Sequence, residues 1–389
     1  VVALGVVGVQ WVVAGYSLAF APGSAWLGGL RWLFFHGVGA GGSSYAPTIP
    51  HQAHALFQGM FAIITPALIS GAIVERMRFR SYVVFLVLWS TLVYDPLAHW
   101  VWGQGGWLAA RGALDFAGGT VVHISAGVSA LVVARMLGPR QDFRRSPLAP
   151  HSVPLVLLGA GLLWFGWFGF NAGSALAANG IAALAFVNTN AAAAAALVAW
   201  GLLDTVRTGK VTAVGAATGA VAGLVGITPA AGYVSPGAAL AIGALAAGVS
   251  YTAMQVRART RLDDSLDVFS CHGMAGITGA LLTGVFASKA INPGGADGLL
   301  AGNPAQLGVQ ALAVVAAIAI AAVGTTVIYG VLHVVMGVRA DVHDEILGLD
   351  LSEHGEEAYF GGDVGAVAGP GLALGHSVIV HHAPARAAS

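Results

Sequence analysis

The chain has 389 residues, 57% of them hydrophobic and 9% charged, and its formal net charge is zero. A soluble domain carries roughly 25% charged residues, so this composition belongs in a bilayer. With no block of like charge, it excludes nucleic acid as a partner, and the single cysteine, Cys271, excludes a disulfide framework.

Apolar runs parted by Gly, Pro, Asn or charged turns predict ten spans, near 1–21, 53–74, 82–102, 116–137, 153–174, 181–204, 212–229, 236–256, 267–288 and 306–336. Each approaches the roughly 20 apolar residues that cross a bilayer. The first starts inside an apolar stretch at Val1 with no basic segment or cleavage site before it, so further sequence upstream is expected. Loops after the even-numbered spans, up to the eighth, hold Arg76, Arg78, Arg80, Arg135, Arg140, Arg144, Arg145, Arg207, Lys210, Arg257, Arg259 and Arg261. Loops after the odd-numbered spans hold only Arg31, Arg111 and Lys289. The positive-inside rule makes the first set cytoplasmic, and the tail with Arg339 lies on the same side. Both ends then lie inside, which requires an even number of spans. Two regions follow: a transmembrane domain over 1–337 and a cytoplasmic tail over 338–389. The last part of that tail, 361–389, contains His376, His381 and His382 among Gly, Ala and Pro and reads as disordered.

The second span carries Phe57 and Phe61, the third ends at Trp102, and the fifth carries Phe170 and Ser174 near its end. The topology places Trp102, Phe61, Phe170 and Ser174 on the outer side. Singly, such residues are interface or core side chains. Together they describe a vestibule for a small cation, which aromatic faces attract by roughly 0.5–2 kcal/mol. The fourth span opens with Asp115-FAGGTVV-His123-ISAG and the ninth with Asp267-VFSC-His272-GMAG. At a rise of 1.5 Å per residue, His123 lies about 12 Å from Asp115 and His272 about 7.5 Å from Asp267. The two rings approach the middle of the bilayer from opposite faces. A shared His-x-x-Ala-Gly pattern on antiparallel helices is what an inverted-topology repeat predicts. Ala126, Gly127, Ala275 and Gly276 would let these helices pack closely.

A titratable ring inside a membrane is costly and marks a functional site by default. One reading makes His123 and His272 two independent residues hydrogen-bonded within the bundle. Another is bis-histidine haem ligation, one ligand per helix. The preferred one is a relay for protons or a small protonatable solute, since neutral imidazole offers a donor and an acceptor. Asp115 and Asp267 each precede a helix and are expected to cap its backbone donors. A secondary role for Asp115 is to favour positive charge nearby. Thr228-Pro229 predicts a broken or kinked helix. No P-loop, Cys/His metal cluster or Ser/His/Asp constellation is present, so neither an enzyme nor a cofactor is indicated.

The stretches FQGMFAIITPALISGAIVERMRF, AHWVWGQGGWL, GALDFAGGTVVHISAG, WFGFNAGSA, AFVNTN, GLVGITPAAGYV, DVFSCHGMAGITG and GLDLSEHGEEAY cover nearly the whole chain in order. They resemble the ammonium transporter (Amt/Mep/Rh) family, most closely its bacterial Amt branch. The resemblance implies an all-α polytopic protein of the inner (cytoplasmic) membrane that moves NH4+/NH3. It also implies an eleven-helix inverted-repeat bundle assembled as a homotrimer with one pore per subunit. By motif, Trp102, Phe61 and Ser174 correspond to the outer ammonium site and Phe61 and Phe170 to a phenyl gate. His123 and His272 correspond to the pore histidines, and Asp115 to the supporting aspartate, with Asp267 at the matching inner position. The segment 348–359, with Asp350, Glu353, His354, Gly355, Glu356 and Tyr359, is similar to the family's cytoplasmic motif, which in many bacterial members engages a PII signalling protein. The family's first helix has no counterpart, so ten of eleven spans and a fragment of a less stable trimer are expected. The alternatives are an ammonium sensor acting through the tail and a bis-histidine haem electron carrier.

Overall fold

The computed structural model of the chain describes residues 1–145 and 149–356. Over these residues the protein is almost wholly helical, with one isolated bridge between Met77 and Arg339. Among the described residues, nine helices are long and apolar enough to cross a membrane: α1 (Val2–Phe20), α2 (His51–Ala72), α3 (Phe79–Trp102), α4 (Gly119–Leu137), α5 (Val153–Gly173), α6 (Gly180–Thr208), α8 (Pro236–Ala258), α9 (Phe269–Phe286) and α10 (Ala305–Met336). Between α6 and α8 lies the shorter apolar α7 (Ala213–Ile227). Each falls on a predicted span.

The ends have local causes. Ser152, Asn179, Thr212 and Ser235 cap α5 to α8, each side chain accepting a backbone N–H of the first turn, a contribution of about 1 kcal/mol per cap. Helix α6 runs past the predicted stop at 204 because its next break is Gly209, whose φ of +76° closes the helix in the left-handed region. Helix α7 ends at Ile227, where the predicted break at Thr228-Pro229 turns the chain.

The core is built from close backbone approach as much as from large side chains. A Cβ on Gly127 would collide with the backbone of Gly273, so α4 and the start of α9 touch there without side chains between them. Four spans contain a π turn: Trp11–Gly15, Ser90–Tyr94, Gly119–Ile124 and Phe269–Met274. The last two carry His123 and His272, in keeping with the enrichment of π turns at functional sites.

The loops after α2, α4 and α8 meet the start of the tail on one face. Arg76 and Asp263, both fully buried, pair at 2.8 Å. Arg140 reaches Asp263 and Glu75, each at 3.0 Å, and Arg339 pairs with Glu345 at 2.8 Å. Burial alone would raise the Asp263 pKa, but the Arg140 and Arg76 guanidinium groups hold it below the usual carboxylate range. Three of the four Arg-rich loops predicted to share a face therefore meet there, knitted by an ionic network. On the lateral surface, 6% of the α5 segment is buried within the chain. So apolar a helix needs lipid or a neighbouring subunit against it.

Candidate functional site

The site begins where the chain enters α4. Asp115 Oδ1 accepts the N–H groups of Gly118 and Gly119 at 2.8 and 2.7 Å, and Oδ2 those of Thr120 and Val121 at 2.8 and 3.0 Å. One carboxylate thus satisfies the four orphan donors of a helix start. Burial still pushes its pKa above the usual carboxylate value, the four N–H groups offsetting part of the rise. The Asp115 carbonyl accepts from Trp102 Nε1 at 2.8 Å, which fixes the indole at the end of α3.

Trp102, Phe61, Asp115 and Ser174 line one chamber of about 190 Å³, together with Phe20, Tyr45, His54, Gln58, Phe116, Leu176 and Tyr233. Ser174 Oγ donates to the Phe170 carbonyl at 2.9 Å, leaving its lone pairs as acceptors. Phe170 lies outside the chamber wall. Its ring sits beneath Phe61, with centroids 4.5 Å apart and planes tilted by 47°.

From Phe170 the rings continue inward. His123 stacks on Phe170 at 5.8 Å, on Trp167 at 5.4 Å and on His272 at 5.3 Å. The two histidines face each other through Nδ1 atoms 3.2 Å apart, and Nε2 of His123 has no hydrogen-bond partner among the described residues. Trp102, Phe61, Phe170, His123 and His272 therefore form one file of rings. Ring stacked on ring leaves no space for a macrocycle between the histidines, and no group of three or more His, Cys, Asp or Glu suited to a metal occurs among the described residues.

The inner end departs from the expected symmetry. Asp267 does not cap α9: its backbone is left-handed (φ +56°), and its carboxylate pairs with Arg257 at 2.7 Å. The cap is Asp264, which accepts from Phe269 N–H at 2.8 Å. Asp115 precedes its helix by a full turn, whereas Asp267 stands beside the helix start, where a cap needs extended backbone; its left-handed φ and its ion pair with Arg257 take it out of that role. Burial raises the Asp267 pKa to about 6, with Arg257 opposing the rise.

In the tail, Asp350–His354 forms a turn closed by Gly355 at φ +67°. The His354 ring meets Phe79 edge-on at 4.7 Å, and Leu349, Glu353 and His354 share a small cavity with Ile73, Met77 and Tyr82 at the ends of α2 and α3. The Glu356 N–H returns to the Asp350 carbonyl at 3.2 Å. Tyr359 lies outside the described residues.

Sequence reasoning missed Trp167, His54 and Gln58. Signals existed: Trp167 stands three residues before Phe170, and His54, Gln58 and Phe61 follow at spacings of four and three, one face of a helix in each case. Asn188, in AFVNTN, was quoted without a role. Its side chain donates to the carbonyls of Ala231 and Val234, both at 2.8 Å, tying α6 to the turn after α7.

A helical bundle with a ring-lined file through its interior, entered from an aromatic chamber, is the architecture of a membrane transport protein. The chain belongs to the Ammonium Transporter Family, whose sequence signature matches residues 1–359. It is 47% identical to an ammonium transporter of Bacillus subtilis over 357 residues, 92% of this chain and 88% of that protein. An ammonium transporter of Aquifex aeolicus is 49% identical over 358 residues, 92% and 83% of the two chains. The crystal structure of Saccharomyces cerevisiae Mep2 superposes with a TM-score of 0.82 at 39% identity, covering 87% of this chain and 78% of that one. The protein is a multi-pass membrane protein of a family of transporters and not an enzyme.

Proposed function

We propose that the chain conducts ammonium inward across the cytoplasmic membrane, through one pore in each subunit of a homotrimer. The continuous file from Trp102 to His272 carries this reading. In it, Trp102 and Phe61 hold NH4+ by cation–π attraction, and Ser174 accepts one of its protons. The full negative charge of Asp115 is shared among four N–H groups, so the chamber binds a cation without trapping it.

The Phe61–Phe170 contact closes the chamber inward. A hydrated metal ion finds there no ring of oxygens to replace its water. Ammonium differs in having protons to leave behind, and neutral ammonia passes the phenyl rings. The free Nε2 of His123 and the coupled imidazole of His272 then supply hydrogen bonds along an otherwise apolar path. The exposed apolar face of α5 supports a trimer. The Arg-rich face supports a cytoplasmic placement of the tail, and the docked turn 350–354 is the surface on which a PII signalling protein would act. Ammonium uptake into proteoliposomes tests the reading: Trp102→Ala should raise the ammonium KM, and wild-type kinetics in that variant would overturn the chamber assignment.

A further inference from the structure

A cleft of about 530 Å³ lies between α4, α8 and the start of α9. It shares no lining residue with the chamber. Its walls include Leu131, Gly248, Val249, Ala253, Phe269 and Met274, and Arg257 stands where α8 ends. Gly248 gives it depth: a Cβ there would meet nothing within 4 Å. From Gly248 to Arg257 the α8 wall is about 14 Å long at 1.5 Å per residue, close to the roughly 15 Å of hydrocarbon in one leaflet. Phe269 and Met274 are the first and last residues of the π turn that carries His272. The cleft therefore backs onto the turn that presents a pore ring.

The cleft continues into a second hollow of about 1000 Å³ between the end of α4 and α10; Leu131, Thr260 and Leu262 line both. Two cations stand in this second part, Arg135 and Arg261. Both are exposed, and neither side chain has an ion-pair or hydrogen-bond partner among the described residues. The arginines around them are taken: Arg257 pairs with Asp267, Arg140 with Asp263 and Glu75, and Arg339 with Glu345. No acidic side chain lines either hollow. An apolar cleft one leaflet deep thus ends at two uncompensated positive charges.

We propose that this cleft binds an anionic phospholipid from the leaflet on the Arg-rich face. One acyl chain lies along α8 against Phe269 and Met274, and the phosphate is held by Arg135 and Arg261. Basic pockets between membrane helices recognise such headgroups. A zwitterionic lipid is disfavoured, because its ammonium group finds no carboxylate in the cleft. The chain packs against a concave wall in place of other lipid tails, and the headgroup charge carries the selectivity. Filling the space behind Phe269 and Met274 braces the π turn that presents His272.

Native mass spectrometry of the full chain in detergent, titrated with dioleoyl phosphatidylglycerol or dioleoyl phosphatidylcholine, gives a dissociation constant for each bound lipid. The first phosphatidylglycerol should bind roughly 30-fold tighter than phosphatidylcholine, the fold-change supplied by two charges at about 1 kcal/mol each. The double variant Arg135→Gln/Arg261→Gln should bring the two lipids level. Gly248→Leu fills the deep end of the cleft and should weaken both lipids by a similar factor. Equal affinity of the wild type for the two lipids overturns the site, as does a phosphatidylglycerol preference that survives in the double variant. If Gly248→Leu folds and binds both lipids like wild type, no chain lies in the cleft and the proposal fails. If the wild type binds neither lipid tightly and Gly248→Leu breaks subunit assembly, the cleft belongs to a neighbouring subunit, and the proposal fails again. Should Gly248→Leu not fold, the two arginines, both exposed, decide the matter.

Discussion

Nδ1 of His123 and Nδ1 of His272 lie 3.2 Å apart. A hydrogen bond at that distance holds one proton, so when one ring donates the other must accept, and the tautomers are coupled. His123→Ala and His272→Ala should each lower ammonium flux or its selectivity over potassium by about an order of magnitude. The double variant should be far from additive, with an interaction energy of about 1–3 kcal/mol. Flux and selectivity at the wild-type level in both single variants would sink the pairing.

Phe170 is partly buried and touches Phe61 on one side and His123 on the other. Phe170→Ala should therefore open the file while costing less than the roughly 3–5 kcal/mol of a fully buried Phe→Ala. Leak currents of hydrated ions, read beside the melting temperature, check this. A loss of assembly as large as the loss of selectivity would return Phe170 to the core.

Asp115 offers a graded series. Asn keeps a single acceptor oxygen, and Ala keeps none. Asp115→Ala strands four buried N–H donors at about 1–3 kcal/mol each and should abolish folded expression. Asp115→Asn should fold with reduced stability and a loosened Trp102, seen as altered indole fluorescence. Equal stability of the two variants would show that the donors find other partners.

Removing Asp263 leaves Arg76 buried without its anion. Asp263→Asn should destabilise the protein by about 3–5 kcal/mol. The Asp263 pKa is lowered from its ordinary 3.8, so its contribution is complete above that value and is lost only as pH falls through the lower native one. Thermal melts of wild type and variant in detergent should differ by a constant amount from neutral pH down to about 4 and converge only in stronger acid. A gap that closes near neutrality would contradict the network.

The native Cys271 is buried, so a cysteine placed at exposed Ser352 or Glu356 reports alone on the tail. Labelling is expected only from the cytoplasmic side; labelling from outside would invert the topology. Removing the residues after 338 should leave ammonium uptake in place and abolish regulation, whereas loss of a signalling output with no uptake in either form would favour a sensor.

How far the site was legible follows from the range of the signals. Trp102, Phe61 and Ser174 were placed together by motif and by the predicted face of the membrane, and they do line one chamber. Asp267 was read by analogy with Asp115, and the analogy failed because capping depends on where the helix begins. The left-handed turn at Asp267 put that beginning two residues downstream and handed the cap to Asp264. His54 was passed over although it shares a helix face with Gln58 and Phe61: Tyr16 and the chamber, which make it part of the site, reach it only through the fold.

The spans, their charge asymmetry, the break at Thr228 and the paired His-x-x-Ala-Gly motifs are local properties, and the sequence by itself determined them. Hydropathy, caps and backbone freedom act within a turn or two of chain. Which rings touch, in what order, and which nitrogen is left without a partner was decided by tertiary structure alone. His123 and His272 are 149 residues apart in the chain. They meet because glycines let α4 and α9 approach backbone to backbone, and such contact between distant helices is written in no local pattern.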